Sequence, residues 1–523
     1  MKVLPVAVSN SSPVFPRDKI KPMDDLAQIA HRAKEKGETV VQCHGVFDLL
    51  HIGHLKHFES ARAEGSMLIV TITADNFVNK GPGRPIFPEQ MRAEALANLM
   101  QVDWVGIVED PSAEKAIDAI KPNIYAKGNE YQDADNDVTG KILGEAEIVE
   151  SYGGSVIFTD EVTFSSSSLI NKHLNIYDPP LQQYLDSLRK EGALEYVIEK
   201  VEELANLKVL IVGDAIIDEY IYVRALGKSA KENMIATQYM EREVFSGGVL
   251  AAANHVAGFC KSVELVTSIG AQESYEEFIR ESLKPNVNLT ALINESAPTT
   301  RKSRYVDPGY SMRKLFEVYV MNDSPLPESV QTDFESALQE RISAADVVIV
   351  TDFGHGLIND KTIQLLCSEA KFLAVNAQSN SANHGFNLIS RYPRADYICI
   401  DEPEARLAVH DKTSSLPDII QGALLEEMEC DRTVVTQGKH GCLAFEKGGN
   451  LTRVPALTST IVDTVGAGDA FFVVTAPMAA LGIPMPYIGL LGNAAGAMKV
   501  GVVGHRSSVD KTSYIKFLTA LLK

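Results

Sequence analysis

Two short stretches of this sequence hold the residues best placed to do chemistry. From Ile461 to Phe472 the chain reads IVDTVGAGDAFF: an apolar strand end, then Asp463-Thr464, then Gly466-Ala467-Gly468, then Asp469 in the first turn of an apolar helix. Small residues at a strand-to-helix turn let backbone N–H groups face a ligand. A helix N-terminus adds about half a positive charge, so the turn suits a phosphoryl group. A carboxylate beside that anion, here Asp469, can accept the proton of an attacking hydroxyl. An ordinary turn with an aspartate answering the helix dipole has the same local sequence. The second stretch, HGVFDLLHIGHLKHFESAR, opens at His44. His51 and His54 stand one helical turn apart where a helix begins, so both imidazoles and the free N–H groups can face one anion. With His57 they could equally form a metal face or lie on a solvated helix.

The elements that must position these residues alternate in type. Thr39 to Cys43 and Met67 to Thr73 are apolar runs of strand length, and Asp24 to Lys36 has a helical period, which predicts a small Rossmann-like parallel sheet over residues 1–175. Asp178-Pro179-Pro180 breaks the pattern, and the charged, helix-periodic segment 176–206 reads as a linker. A second α/β domain is expected over 207–523, opening with the strand KVLIVGDAIIDEY. Within it Tyr220 to Val244 and Thr299 to Met321 are rich in β-formers, as a small strand-built lid would be. Ala225-Leu226-Gly227-Lys228-Ser229 tempts a phosphate-loop reading, but that loop needs glycine at position 222, which is Tyr. Pro477 falls inside the helix that follows Asp469 and should kink it.

Composition narrows the classes. The 523 residues carry 49 Lys+Arg against 69 Asp+Glu, a net charge of −20, which argues against nucleic acid or an anionic membrane as partner. Six cysteines form no CxxC pair, so they read as reduced thiols rather than a zinc site or disulfide framework. No run approaches the ~20 apolar residues of a membrane span, and the VLPVAV near the start is too short for a signal core. The expected location is the cytoplasm.

DTVGAGDAF resembles the DTxGAGD motif of ribokinase-like (PfkB) sugar kinases, and GVFDLLHIGH resembles the first motif of the HIGH-type nucleotidyltransferases. The combination is similar to the bifunctional heptose kinase/nucleotidyltransferases, with the domain order inverted. The kinase resemblance implies Asp469 as catalytic base and Gly466, Ala467 and Gly468 as an anion hole. It also implies Asp218, Gly247 and Gly248 at the sugar, and Thr436, Gly438, Gly441 and Asn493 at the nucleotide. Glu404 would organise Mg²⁺ through water. The sequence departs from the family at Ala251 and Asp401, where asparagine is usual, and at Asn376, where many relatives carry aspartate. The transferase resemblance implies His51, His54 and Lys127 as charge-stabilising residues. Gly45, Phe47, Arg84, Ser166 and Ser167 would bind nucleotide, with Arg92 a further phosphate contact. A serine run before a helix also serves as an N-cap.

Together these resemblances imply an enzyme that phosphorylates a sugar or sugar phosphate with ATP and transfers a nucleotidyl group from ATP or CTP to a sugar 1-phosphate. The product is a nucleotide-activated sugar of ADP- or CDP-heptose type, and the active species is a homodimer. The alternative is a cytidylyltransferase of a polyol or amino-alcohol phosphate fused to an unrelated or non-catalytic sugar-kinase-like sensor.

Overall fold

The computed structural model describes residues 16–78, 80–110, 112–129, 141–159, 169–171, 174, 176–309, 312–458 and 461–523. The chain divides into two units, one of residues 1–177 with Ile515–Leu521 and Lys523, the other of Asp178–Tyr514 with Leu522.

Unit 1 is built on five parallel strands, β1 (Val40–Gly45), β2 (Met67–Thr73), β3 (Trp104–Val108), β4 (Ile124–Gly128) and β5 (Ser155–Thr159), in the order β3-β2-β1-β4-β5. The apolar runs become strands because helices cover them. Val41, Cys43, Leu68, Val70 and Ala126 lie in one buried cluster with Phe58, Ala61, Ala93 and Leu96 of two helices. β1 sits at the centre of the sheet, so the loop after its C-terminal end opens at the topological switch point, the usual ligand position in such sheets. That loop runs into the helix Ile52–Ala63.

Unit 2 contains two sheets. The larger has nine strands: β6 (Lys208–Gly213), β9 (Ser262–Gln272), β10 (Val287–Pro298), β13 (Val347–Asp352), β14 (Leu373–Ala377), β15 (Arg394–Asp401), β16 (Glu429–Thr436), β17 (Cys442–Glu446) and β18 (Thr452–Val454). Their order is β10-β9-β6-β13-β14-β15-β16-β17-β18, parallel as far as β16 and antiparallel beyond it. The smaller sheet, β12-β11-β7-β8, consists of β7 (Ala215–Lys228), β8 (Ile235–Gly248), β11 (Thr300–Asp307) and β12 (Arg313–Val320), in the place the β-former-rich segments predict. β7 starts two residues after β6 ends, so Asp214 alone joins those two strands, as Thr299 alone joins β10 to β11.

Two sequence expectations are revised. The segment 176–206, expected as a helical linker, is helical but packs as part of a unit. It forms the helices Pro179–Lys190 and Ala193–Glu203, whose Leu181, Leu185, Leu188, Val197 and Val201 are buried and which group with unit 2. Nor does the last stretch of chain all belong with unit 2, since Ile515–Leu521 groups with unit 1. The helix Ala467–Ala480 continues through Pro477 and is buried nearly all round, from Ala470 to Ala479.

Candidate active sites

In unit 2 the glycine turn lies where its chemistry requires. Gly466 takes a left-handed φ of +75° and caps the helix Ala467–Ala480, which places Asp469 in the first turn. Asp463 anchors the turn from beneath. Its carboxylate accepts from Tyr220 Oη at 2.6 Å, Lys314 Nζ at 2.8 Å and the Gly504 N–H at 2.9 Å. Burial opposes that charge, but these donors hold the carboxyl down at about 2. Lys499, buried, donates to the Val465 and Gly504 carbonyls, and burial lowers it to about 8. Asp469 is half-buried and accepts from Gln378 Nε2 at 2.5 Å. Burial raises its pKa and Asp218 adds to the rise, while His505, Lys302 and Lys499 oppose it.

Asp218 lies on β7, buried, with Arg304 and His505 as partners, the latter at 3.1 Å. Burial would raise its carboxyl, yet the Arg304 charge and the hydrogen bonds from His505 and Arg304 hold it well below the usual carboxylate range. Gly247 faces it across the β7–β8 pair, and a Cβ there would collide with the Asp218 carboxylate. Gly248, at φ +54°, caps the helix Val249–Val256. Ala251 is buried in that helix, and Asn254 is spent on Ser282 and Lys284 backbone atoms. Glu404 forms a reciprocal capping box with Asp401 and also accepts from the Ser379 N–H at 3.1 Å. Burial, then the Asp401 charge, then Asp469, raises its pKa. Aspartate in the usual asparagine position therefore acts as a helix cap. Thr436 ends β16, and Gly438 and Gly441 shape the tight turn to β17 with positive φ at both. Asn493 is turned to the Val454 and Pro455 carbonyls at 3.4 and 3.2 Å. Asn376 donates to the Cys399 carbonyl.

In unit 1, Gly45 ends β1, and a Cβ there would press on the ring of Phe47, which is buried at φ +48°. Asp48 accepts from the Ile86 and Phe87 N–H groups and so ties this loop to the 80s segment. His51 is the N-cap of the helix Ile52–Ala63, and His54 lies in its first turn. Their rings stack at 3.9 Å, and Phe47 packs edge-on to His54. Burial pushes His54 down to about 3, with His51, His57 and Lys80 adding to the shift, so its imidazole is neutral at pH 7. His57 is bonded to Thr159 at 2.7 Å and lowered to about 4 by burial and Lys127. No cluster of three metal-ligating side chains occurs among the described residues, so a three-histidine metal face finds no support there.

Lys127, next to last in β4, pairs with buried Glu145 at 2.7 Å, its ammonium lying over the Tyr125 ring. Arg84 donates to Asn171 at 2.8 Å. Arg92 departs from expectation. It is 2% exposed and wholly engaged by the Val46, Thr73 and Phe87 carbonyls and by Asp75, so it is a structural tie and not a phosphate contact. Ser166 and Ser167 lie outside the described residues.

The profile described as "pfkB family carbohydrate kinase" matches residues 206–512, more than half of the chain. The chain belongs to the pfkB family. A second profile, "Cytidylyltransferase-like", matches residues 42–173, the region of the histidine pair. Among curated proteins, the chain is 36% identical over 163 residues to the "Bifunctional protein HldE" of Syntrophotalea carbinolica, covering 31% of this chain and 32% of that one. It is 37% identical over 165 residues to the protein of the same name from Geobacter metallireducens, covering 30% and 32%. The matched region is thus about a third of these relatives' length. Among solved structures, Arabidopsis thaliana ribokinase with ribose and ATP aligns with TM-score 0.47 and 20% identity over 60% of this chain and 98% of its own. Escherichia coli phosphofructokinase-2 aligns at 0.49 and 17%, over 61% and 100%.

In the pfkB unit the structure brings Asp469, Asp218 and the glycine turn into one neighbourhood, and adds residues that sequence reasoning missed. Gln378, Lys302, Arg304, Lys499 and His505 reach it from four separate segments. Their electrostatic or hydrogen-bond contact with Asp469 or Asp218 is what marks them. A positively charged residue two places from another on a strand, Lys302 and Arg304, was the one available signal, since both must share a face.

Proposed function

We propose that the chain makes a nucleotide-activated sugar in two steps, phosphorylating the anomeric oxygen of a sugar or sugar phosphate and then transferring a nucleotidyl group to the sugar 1-phosphate with release of pyrophosphate. The observation that carries this reading is the presence on one chain of the pfkB match, with Asp469 in the first turn of the Gly466-capped helix, and of the cytidylyltransferase-like match, with stacked His51 and His54 at a helix start. The resemblance of the two motifs to the bifunctional heptose kinase/nucleotidyltransferases supports a heptose-type sugar, with ATP or CTP as the nucleotidyl donor.

In the kinase step Asp469 takes the proton of the attacking hydroxyl. Asp218, held ionised by Arg304 and His505, binds sugar hydroxyls, and Gly247 leaves the room its carboxylate needs. The N–H groups at Gly466–Gly468 face the transferring phosphoryl group, whose charge the helix N-terminus offsets. The Thr436–Gly441 turn and Asn493 belong to the nucleotide side. Glu404 is the carboxylate that would hold Mg²⁺ through water: it lies with Asp401 in one capping box and within the field of Asp469, two acidic charges that a divalent cation would offset. Mg²⁺ there would supply charge neutralisation on phosphate oxygens.

In the transferase step the neutral imidazoles of His51 and His54, with Lys127, donate to NTP phosphate oxygens as pyrophosphate leaves. Gly45 and Phe47 shape the floor of that loop, and Arg84, Ser166 and Ser167 complete the phosphate contacts. A homodimer through the small sheet is supported by its exposed Leu226, Ile235, Tyr239, Phe316 and Val318. The test is to follow ADP and pyrophosphate release by the full chain over a panel of sugars and sugar phosphates, with ATP and CTP. Failure of every sugar to release ADP would defeat the kinase half of the reading.

A further inference from the structure

A buried ammonium with no part in substrate binding or proton transfer lies against the glycine turn. Lys499 closes the helix Met485–Lys499 and is 1% exposed. Among the described residues no carboxylate pairs with it, and it donates instead to two carbonyls, Val465 at 3.0 Å and Gly504. The carbonyl of the next residue, Val500, accepts from the Val462 and Asp463 N–H groups at 2.8 and 3.1 Å. The end of this helix therefore grips the segment 462–465 with a donor and an acceptor. A neutral amide could also tie two carbonyls, and a buried charge is costly, so the positive charge of Lys499 calls for a reason.

The peptide between Val465 and Gly466 supplies one. It is trans, and across a planar trans peptide the C=O and the N–H point in opposite directions. With the Val465 carbonyl held on Lys499, the Gly466 N–H is turned to the far side, where among the described residues it has no hydrogen-bond partner. Gly466 caps the helix Ala467–Ala480, so this N–H stands at the head of the glycine turn. A cation on the carbonyl polarises the peptide and makes its N–H a stronger donor. The neighbouring charges leave that cation free to act. Asp463 is paired with Lys314, and Asp218 with Arg304 and His505, whereas Asp469 accepts from the neutral amide of Gln378. The second carbonyl extends the tie. The Gly504 N–H donates to Asp463 at 2.9 Å, and the next residue, His505, lies against Gly466, where a Cβ would stand 2.6 Å from the ring.

We propose that Lys499 is a positioning residue of the kinase step: by holding the Val465 carbonyl it aims the Gly466 N–H at the transferred phosphoryl group, and its charge backs that donor from behind the turn. This rests on the kinase reading and deepens it. Lys499 touches neither sugar nor nucleotide. It acts through one peptide, and so on the transition state, where the phosphoryl charge moves, more than on binding.

The test measures ADP release by the full chain with Mg-ATP over the sugar panel, with kcat expressed per AMP-PNP site and melting temperature recorded. Lys499→Met removes donor and charge together, and kcat per site should fall by about 10²-fold, the usual worth of one oxyanion donor, with sugar KM and AMP-PNP affinity near wild type. Lys499→Gln keeps an N–H without the charge and should lose about tenfold. A merely structural role would lower the melting temperature and the number of AMP-PNP sites and leave kcat per site unchanged in both variants, which would overturn the proposal. So would a rise in sugar KM at unchanged kcat, because it would place the effect on His505 and Asp218. Where Lys499→Met does not fold, Lys499→Gln decides alone: a tenfold loss per site supports the proposal and wild-type kcat overturns it. Absence of ADP release by the wild type on every sugar is a different result, which removes the kinase reading and the proposal with it.

Discussion

Replacing Asp469 by asparagine separates what this carboxylate does for catalysis from what it costs the fold. Asparagine keeps the size and the oxygen that accepts from Gln378 Nε2. It loses the proton acceptor, so kcat of the kinase step should fall by about 10²–10⁴-fold, the usual worth of a positioned general base. Stability should move the other way. The favourable interaction of the carboxylate with its helix N-terminus contributes about 0.3–1 kcal/mol. Against it stands burial next to Asp218, which raises the pKa of Asp469 above its ordinary 3.8 and so shows that the fold as a whole disfavours the charge. Because the folded pKa is the raised one, the penalty appears as pH climbs past the unfolded value and is complete above the folded value. At pH 7 Asp469→Asn should therefore melt at or above the wild type, by up to about 3 °C for each kcal/mol recovered in a unit this large. Below about pH 3.8, where both forms are neutral, the two should coincide. Scanning calorimetry at pH 7 and 3.5, with an ADP-release assay, reads both quantities. Near wild-type kcat in the folded variant would remove Asp469 as base, and a clear fall in melting temperature at pH 7 would refute the burial argument.

Other outcomes follow from single contacts. His54→Ala should abolish pyrophosphate release and leave ADP release by the kinase step intact, and in the wild type the His54 ring should stay neutral by NMR down to about pH 4; a His54 titration near 6.5 would contradict the buried geometry. Arg92→Met strands three carbonyls and Asp75 and should destabilise unit 1 by about 3–5 kcal/mol, seen as a large drop in its melting transition; a drop under about 1 kcal/mol would show that the tie is dispensable. Asp463, held at about 2 against an ordinary 3.8, should contribute about 2 kcal/mol above pH 4 that is lost as pH falls from 4 to 2. The stability gap between wild type and Asp463→Asn should shrink over that window, and a gap flat from pH 6 to 2 would argue against the Lys314–Tyr220–Gly504 cradle.

What was legible in the sequence was local. The GAG turn and the HIGH stretch each carry strand, small residues and helix start within a dozen positions, so spacing alone implied their geometry. His505 and Lys302 reach the kinase site from 36 or more positions away along the chain, and no periodicity announces which distant side chain will face a given carboxylate. Arg92 misled because the resemblance of the stretch around it suggested a phosphate contact. Its burial depends on carbonyls that only the closed loop 46–48 and the end of β2 present. The helices at 179–203 misled for another reason. Leu181, Leu185 and Leu188 follow a core-facing period, but the Pro-Pro break and the charges around them led to the reading of a helical linker.

The way β7 leaves the central sheet has a mechanical consequence. Asp214 is the whole joint between β6 and β7, and its carboxyl is fastened to the Phe353 N–H, so the first residues of β7 have no slack. Asp218 lies four residues from that joint, inside the stretch where β7 pairs with β8 in unbroken register as far as Tyr222. The register slips only beyond, at Tyr222/Val223 and again at Ala225/Gly227. Bulges concentrate bending. Any opening of this sheet would be taken up past residue 222, so that the outer half can swing as an awning while Asp218 and its partners stay fixed to the wall.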